Sequence, residues 1–200
     1  NNFGIRKRLL EYDDVMNKQR NVVYKKRNHA LFGERLALDL DNAFYSVANG
    51  LIISFKEGNA HEGFNLAAIV NFGIEPPITG RALEKEDVKA LGNRLYNEAV
   101  TQYRRKTDGI VQQTLPIIKN IRKEQGNHIE NVAVPFTDGK KQIQALANLN
   151  KYLATEGREL NDALERNITL ALIDDAWKEH LRAMDDLRHS VQTAGYEQKD

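Results

Sequence analysis

GIRKRLLEYDDVMNKQRNVVYKKRNHALF, residues 4–32, is the stretch from which the fold is read. It holds no proline, and no glycine after Gly4. Ile5, Leu9, Tyr12, Met16 and Val23 step by four, three, four and seven, which is one face of a helix, with Gln19 as a polar interruption. Leu10, Val15 and Val22 add a second apolar flank. A helix with two apolar flanks packs against more than one neighbour, so this one reads as a spine.

Outward from the spine, Leu36, Leu40, Phe44, Val47 or Ala48, Leu51, Ile52 and Phe55 resume a helical face, which should stop near Gly58-Asn59. A short helix is expected at about 62–71 and a loop at about 73–82, where Pro76-Pro77 removes donors and favours extended backbone. From Glu84 the helical period returns through Leu91, Leu95, Ala99 and Tyr103 to Ile121, with Pro116 set to kink or split the run and Gly126 to stop it. Ile129, Val132 and Val134 then precede Asp138-Gly139, and Ile143 follows. This predicts a small β-hairpin at about 129–144, with Pro135 weakening the first strand or placing it at an edge. Leu160, Leu164, Ile168, Leu172, Trp177, Leu181, Met184, Leu187 and Val191 carry a final helix from about Glu156 to Thr193. At ~1.5 Å per residue it is roughly 55 Å long, more than a compact globule of this size requires.

The 200 residues are 41% hydrophobic and 28% charged, which suits a globular chain rather than a disordered one. There is no cysteine, so a disulfide scaffold and a thiolate zinc site are excluded, and a reduced compartment is favoured. No apolar run approaches the ~20 residues of a membrane span. The chain opens on Asn1 inside a patterned segment, so it is expected to be a piece of a longer protein. The net charge of +1 conceals segregation: residues 1–35 carry 9 basic and 4 acidic side chains, and residues 148–200 carry 7 and 11. Alternating basic and acidic segments pair with one another, with solvent, or with a charged partner.

Motifs for chemistry are scarce. Gly139-Lys140 is followed by Lys141, and Val134 stands where a phosphate loop would need its first glycine, so no ATP is expected on this segment itself. His61-Glu62 lacks the second histidine of a zinc motif. Asp174, Asp175, Glu179 and His180 could form a carboxylate metal site. The plainer reading is a solvated helix face, with Asp174 pairing with Lys178, and Asp185 and Asp186 reaching Arg182 or His189. His180 and His189, nine residues apart, make a poor metal pair, and no metal is expected. Trp177 reads as a buried anchor where helices cross. Arg6, Arg8, Asp13 and Asp14 are candidates for interdomain ion pairs. The basic runs lack interleaved aromatic residues, so nucleic acid is not expected as a partner.

Two motifs carry a resemblance. NNFGIRKRLLEYDDVMNKQRNVVYKKR, residues 1–27, resembles the long scaffold helix of the SecA preprotein translocase ATPase family. IDDAWKEHLRAMDDLRHSVQTAGYEQKD, residues 173–200, resembles that family's two-helix finger. The resemblance implies a mainly α fold: scaffold helix at 1–32, helical wing at 33–155 with the hairpin as an insertion, and the first helix and loop of the finger at 156–200, its second helix lying beyond Asp200. It implies a non-catalytic segment of a motor that couples ATP hydrolysis in upstream domains to movement of unfolded preproteins through the SecYEG channel. ATP and Mg²⁺ are then cofactors of the parent protein. The implied partners are the parent's motor domains, SecYEG, preproteins and, peripherally, the cytoplasmic face of the bacterial inner membrane. Tyr196 matches the loop tyrosine that touches the moving polypeptide, with Gly195 and Gln198 beside it, and Ile5, Leu9, Tyr12, Met16 and Trp177 become scaffold packing residues. The alternative is a free-standing helical adaptor or interaction module.

Overall fold

A computed structural model describes residues 2–33, 35–57, 61–137, 139 and 142–197. The elements run α1 (Asn2–Phe32), α2 (Leu36–Glu57), α3 (His61–Phe72), α4 (Gly80–Lys85), α5 (Val88–Gln125), a 3-10 turn (Gly126–His128), β1 (Asn131–Thr137), β2 (Gln142–Asn148), α6 (Leu149–Ala154) and α7 (Arg158–Glu197). They divide into two compact units. The first contains residues 1–34, 133–146 and 162–200, and the second 35–132 and 147–161.

The second unit holds the apolar core. Ala48 and Ile52 of α2, Phe64 and Ala68 of α3, Leu83 of α4 and Leu91, Leu95 and Ala99 of α5 are buried together with Ile74 and Ile78. Burying each large side chain stabilises the fold by about 1.5–3 kcal/mol. Ala48 takes the core position on α2, while Val47 stays 39% exposed, which settles the choice between those two neighbours. The α2–α5 contact is close because Gly92 has no side chain: a Cβ there would stand 1.9 Å from Asn49 Oδ1. Aromatic rings extend the packing of α2, Phe44 against Phe72 and Tyr103, and Phe55 against Phe64.

Local signals set the helix ends. The expected loop at 73–82 is shorter than its prolines suggest, because Thr79 Oγ1 accepts from Ala82 N at 3.3 Å and starts α4 at Gly80. Asp87 Oδ2 accepts from Lys89 N and Ala90 N, which delays α5 to Val88. That helix runs unbroken through Pro116 instead of splitting. The Gln112 carbonyl, which loses its donor to the proline, belongs to an exposed residue and is left to water. Gly126 ends α5 at φ +63°. A short helix absent from the sequence reading, α6, follows the hairpin. Its Tyr152 is fully buried, with the hydroxyl 2.6 Å from Thr114 Oγ1, which itself lies 2.8 Å from the Ile110 carbonyl. Glu156 and Gly157 then turn through positive φ, which moves the start of α7 from Glu156 to Arg158.

The hairpin is displaced from its expected bounds, with strands at 131–137 and 142–148. Burial alternates along β1, with Val132, Val134 and Phe136 half-buried and Ala133, Pro135 and Thr137 exposed. Two strands need support in water, and Asn167 Nδ2 of α7 donates to the Gln144 carbonyl at 3.3 Å.

The rest of the first unit is the pairing of α1 with α7. Leu9, Met16, Val23 and Ala30 recur every seven residues on α1, and all are buried or half-buried. Ala163, Leu170, Trp177 and Met184 do the same on α7. A seven-residue repeat on both helices is the pattern of a coiled-coil seam.

Candidate functional site

The first unit carries the residues singled out for function, and several of them lie along the α1–α7 seam. Three cross-helix contacts fix its direction. The Arg188 guanidinium lies 5.7 Å from the centre of the Tyr12 ring. His180 Nε2 is 2.8 Å from Gln19 Oε1. Arg27 Nε donates to Asp174 Oδ1 at 3.0 Å and Nη2 to Oδ2 at 3.4 Å. Residue numbers rise on α1 as they fall on α7, so the helices are antiparallel.

The forked Arg27–Asp174 contact is a charge-assisted pair between the two helices. Its hydrogen bond, then its charge, holds the Arg27 guanidinium above its ordinary pKa. Trp177 is half-buried rather than buried, because one face looks onto a groove instead of a core. Its ring stacks on His180 with centroids 5.5 Å apart and planes at 26°. The groove, about 540 Å³, is lined by Lys18, Gln19, Val22, Val23 and Lys26 of α1 and by Ile173, Ala176, Trp177 and His180 of α7.

The four candidate metal ligands do not converge. Asp174 is held by Arg27 and His180 faces Gln19, while Asp175 lies 3.9 Å from Lys178 and Glu179 3.3 Å from Arg182. The expected Asp174–Lys178 pair is thus replaced by Asp175–Lys178, because Asp174 faces across to α1. Arg182, expected to meet Asp185 or Asp186, faces Glu179. Among the described residues, no three histidine or carboxylate side chains gather as a metal would require.

Of the proposed packing residues, Met16 is buried, and Leu9 and Tyr12 are half-buried. The Ile5 side chain lies outside the described residues. Arg6, Arg8, Asp13 and Asp14 are exposed, and none has an ion-pair partner among the described residues. Leu10 and Val22 of the second flank are 66% and 58% exposed, so this flank is bare within the unit. The helix α7 continues to Glu197, which puts Gly195 and Tyr196 in helical backbone rather than in a loop. Alanine at 194 favours continuing the helix past Thr193, and no proline interrupts it there. Gln198 lies outside the described residues.

Three cross-helix contacts were missed from the sequence, Tyr12–Arg188, Gln19–His180 and Arg27–Asp174, and their partners lie more than 140 positions apart. The one available signal was Gln19 itself, a polar residue inside an apolar stripe.

The whole chain, residues 1–200, matches the family described as SecA Wing and Scaffold domain. Similar proteins include "Protein translocase subunit SecA" of Christiangramia forsetii, 45% identical over 200 residues. The protein of the same description from Bacteroides thetaiotaomicron is 44% identical over 200 residues. In both cases all of this chain is covered and 18% of the relative, so the chain spans under a fifth of their length. No solved structure matches it significantly.

Proposed function

The chain belongs to the SecA wing and scaffold family, and on that premise we propose that it is the mechanical, non-catalytic segment of a protein-translocating motor. In this reading residues 1–32 are scaffold helix, 33–155 the helical wing and 156–200 the start of the two-helix finger. ATP and Mg²⁺ are bound by other domains of the parent protein, and hydrolysis of the ATP there moves this segment against SecYEG and an unfolded preprotein. Tyr196, with Gly195 and Gln198, touches the polypeptide, and Arg6, Arg8, Asp13 and Asp14 pair with neighbouring domains. No helix among the described residues is long and apolar enough to cross a membrane. In this reading the parent acts from the cytoplasmic face as a peripheral protein.

The observation that carries this reading is the α1–α7 pair. A long antiparallel helix pair with one apolar seam closed and a flank left bare suits a strut on which other domains pack. Nothing observed favours a free-standing adaptor. The reading is tested by mixing this chain with the parent's nucleotide-binding domains. A stable complex with a changed ATP hydrolysis rate is expected, and the absence of both would refute it. A photo-crosslinking residue at 196 of the parent should capture a stalled preprotein; labelling only of the parent itself would remove Tyr196 from the contact.

A further inference from the structure

An apolar seam repeating every seven residues does not define its own register. In the register set by the three cross-helix contacts, Met16, Val23 and Ala30 on α1 come level with Met184, Trp177 and Leu170 on α7. Sliding one helix by seven residues, ~10.5 Å, again sets apolar against apolar. Hydrophobic attraction is non-directional and opposes such a slide only weakly. A polar pair inside the seam is different: a slide leaves a donor and an acceptor facing side chains that cannot bond them.

Gln19 and His180 are such a pair. Both are half-buried, and His180 Nε2 lies 2.8 Å from Gln19 Oε1, so the ring tautomer bearing a proton on Nε2 donates. Three residues earlier on α7, Trp177 stacks on the imidazole and fixes the plane in which that nitrogen points. One to two turns along the pair, the forked Arg27–Asp174 contact has the same directional character at a more exposed position. We propose that Gln19 and His180, with Trp177 as the positioning residue, form a register pin that locks α1 to α7, so that a push along either helix displaces both as one strut. The inference rests on the geometry of the pair and holds whatever the helices touch.

The chain contains no cysteine, so two introduced ones are its only thiols. Spin labels at the exposed positions of Asn17→Cys and Arg182→Cys report the α1–α7 offset by pulsed electron resonance on the full 200-residue chain. The unmodified seam should give one narrow distance distribution. Gln19→Leu with His180→Leu, which leaves the seam apolar throughout, should add a second distance or at least double the width while far-ultraviolet dichroism is retained. Gln19→Glu, which keeps the acceptor, should retain the single distance. If the double variant loses its dichroism, His180→Phe, which keeps the stack on Trp177 and loses the donor, takes its place with the same expectation. A distribution as narrow as the unmodified chain's, with or without a lowered melting temperature, overturns the proposal, since a merely stabilising pair would move stability and not offset.

Discussion

The two units of this molecule bury their apolar surface in different ways. The second closes a core in which Ile52, Leu83, Leu91 and Leu95 are at most 1% exposed. The first closes a seam. Trp177 and Met184 remain half-buried, and Leu10, Val22, Leu172 and Leu187 are more than half exposed. In the second unit polar groups stand mainly at helix ends and on the rim, where they cap and terminate. In the first they sit between the helices, where they give direction. Stability in one is thus set by packing, and specificity in the other by a few directional contacts. A core has one best packing, whereas a periodic seam has several.

The comparison is broken most directly by truncation. Leu95→Ala should cost ~2–5 kcal/mol as a cavity in the closed core, whereas Leu10→Ala should stay within ~0.5 kcal/mol. Denaturant unfolding of both variants checks this, and a Leu10 effect as large as that of Leu95 would show a core in the first unit too. A smaller effect is expected at the turn before α7. Gly157 has φ +95°, and a Cβ there would stand 2.5 Å from Val111 Cγ1. Gly157→Ala should therefore cost ~1–3 kcal/mol, with a lowered melting temperature as the readout. An unchanged midpoint would mean that the turn relaxes freely.

The smallest effect concerns the rim of the second unit. The Tyr96 hydroxyl donates to the Asp41 carboxylate, and this hydrogen bond first, then burial, raises its pKa above the ordinary 10.0. A raised folded-state value means that the native state favours the neutral phenol. Its contribution is present below pH 10 and is lost as pH rises through the raised value. Unfolding midpoints between pH 8 and 12 should fall more steeply for the parent chain than for Tyr96→Phe. Equal slopes would assign the alkaline loss to other groups.

Much of this was legible in the order of residues. The spine helix, the core positions Ile52, Leu91, Leu95 and Ala99 and the stop at Gly126 follow from local period and from glycine. Helix starts were less legible. The caps at Thr79 and Asp87 are side-chain choices that compete with proline and charge patterns nearby, and α6 is short enough to be hidden by the hairpin before it. In the candidate site the helix faces were readable but their partners were not. Asp174 has a lysine one turn away on its own helix, and sequence reasoning takes the near partner, whereas the arginine it meets lies on α1.

What the sequence alone determined is periodicity, because a helix repeats every 3.6 residues and every side chain on one face must meet the same kind of surroundings. It determined which faces are apolar and where the chain must turn, and two specific motifs carried the resemblance to SecA. Tertiary structure alone decided which polar group answers which. Gln19 is an interruption until His180 is brought opposite it, and Arg27 is one of many basic residues until Asp174 turns towards it. Hydrogen bonds and ion pairs act over a few ångströms and select by direction. Their partners are therefore defined only once helices far apart in the chain have been laid side by side.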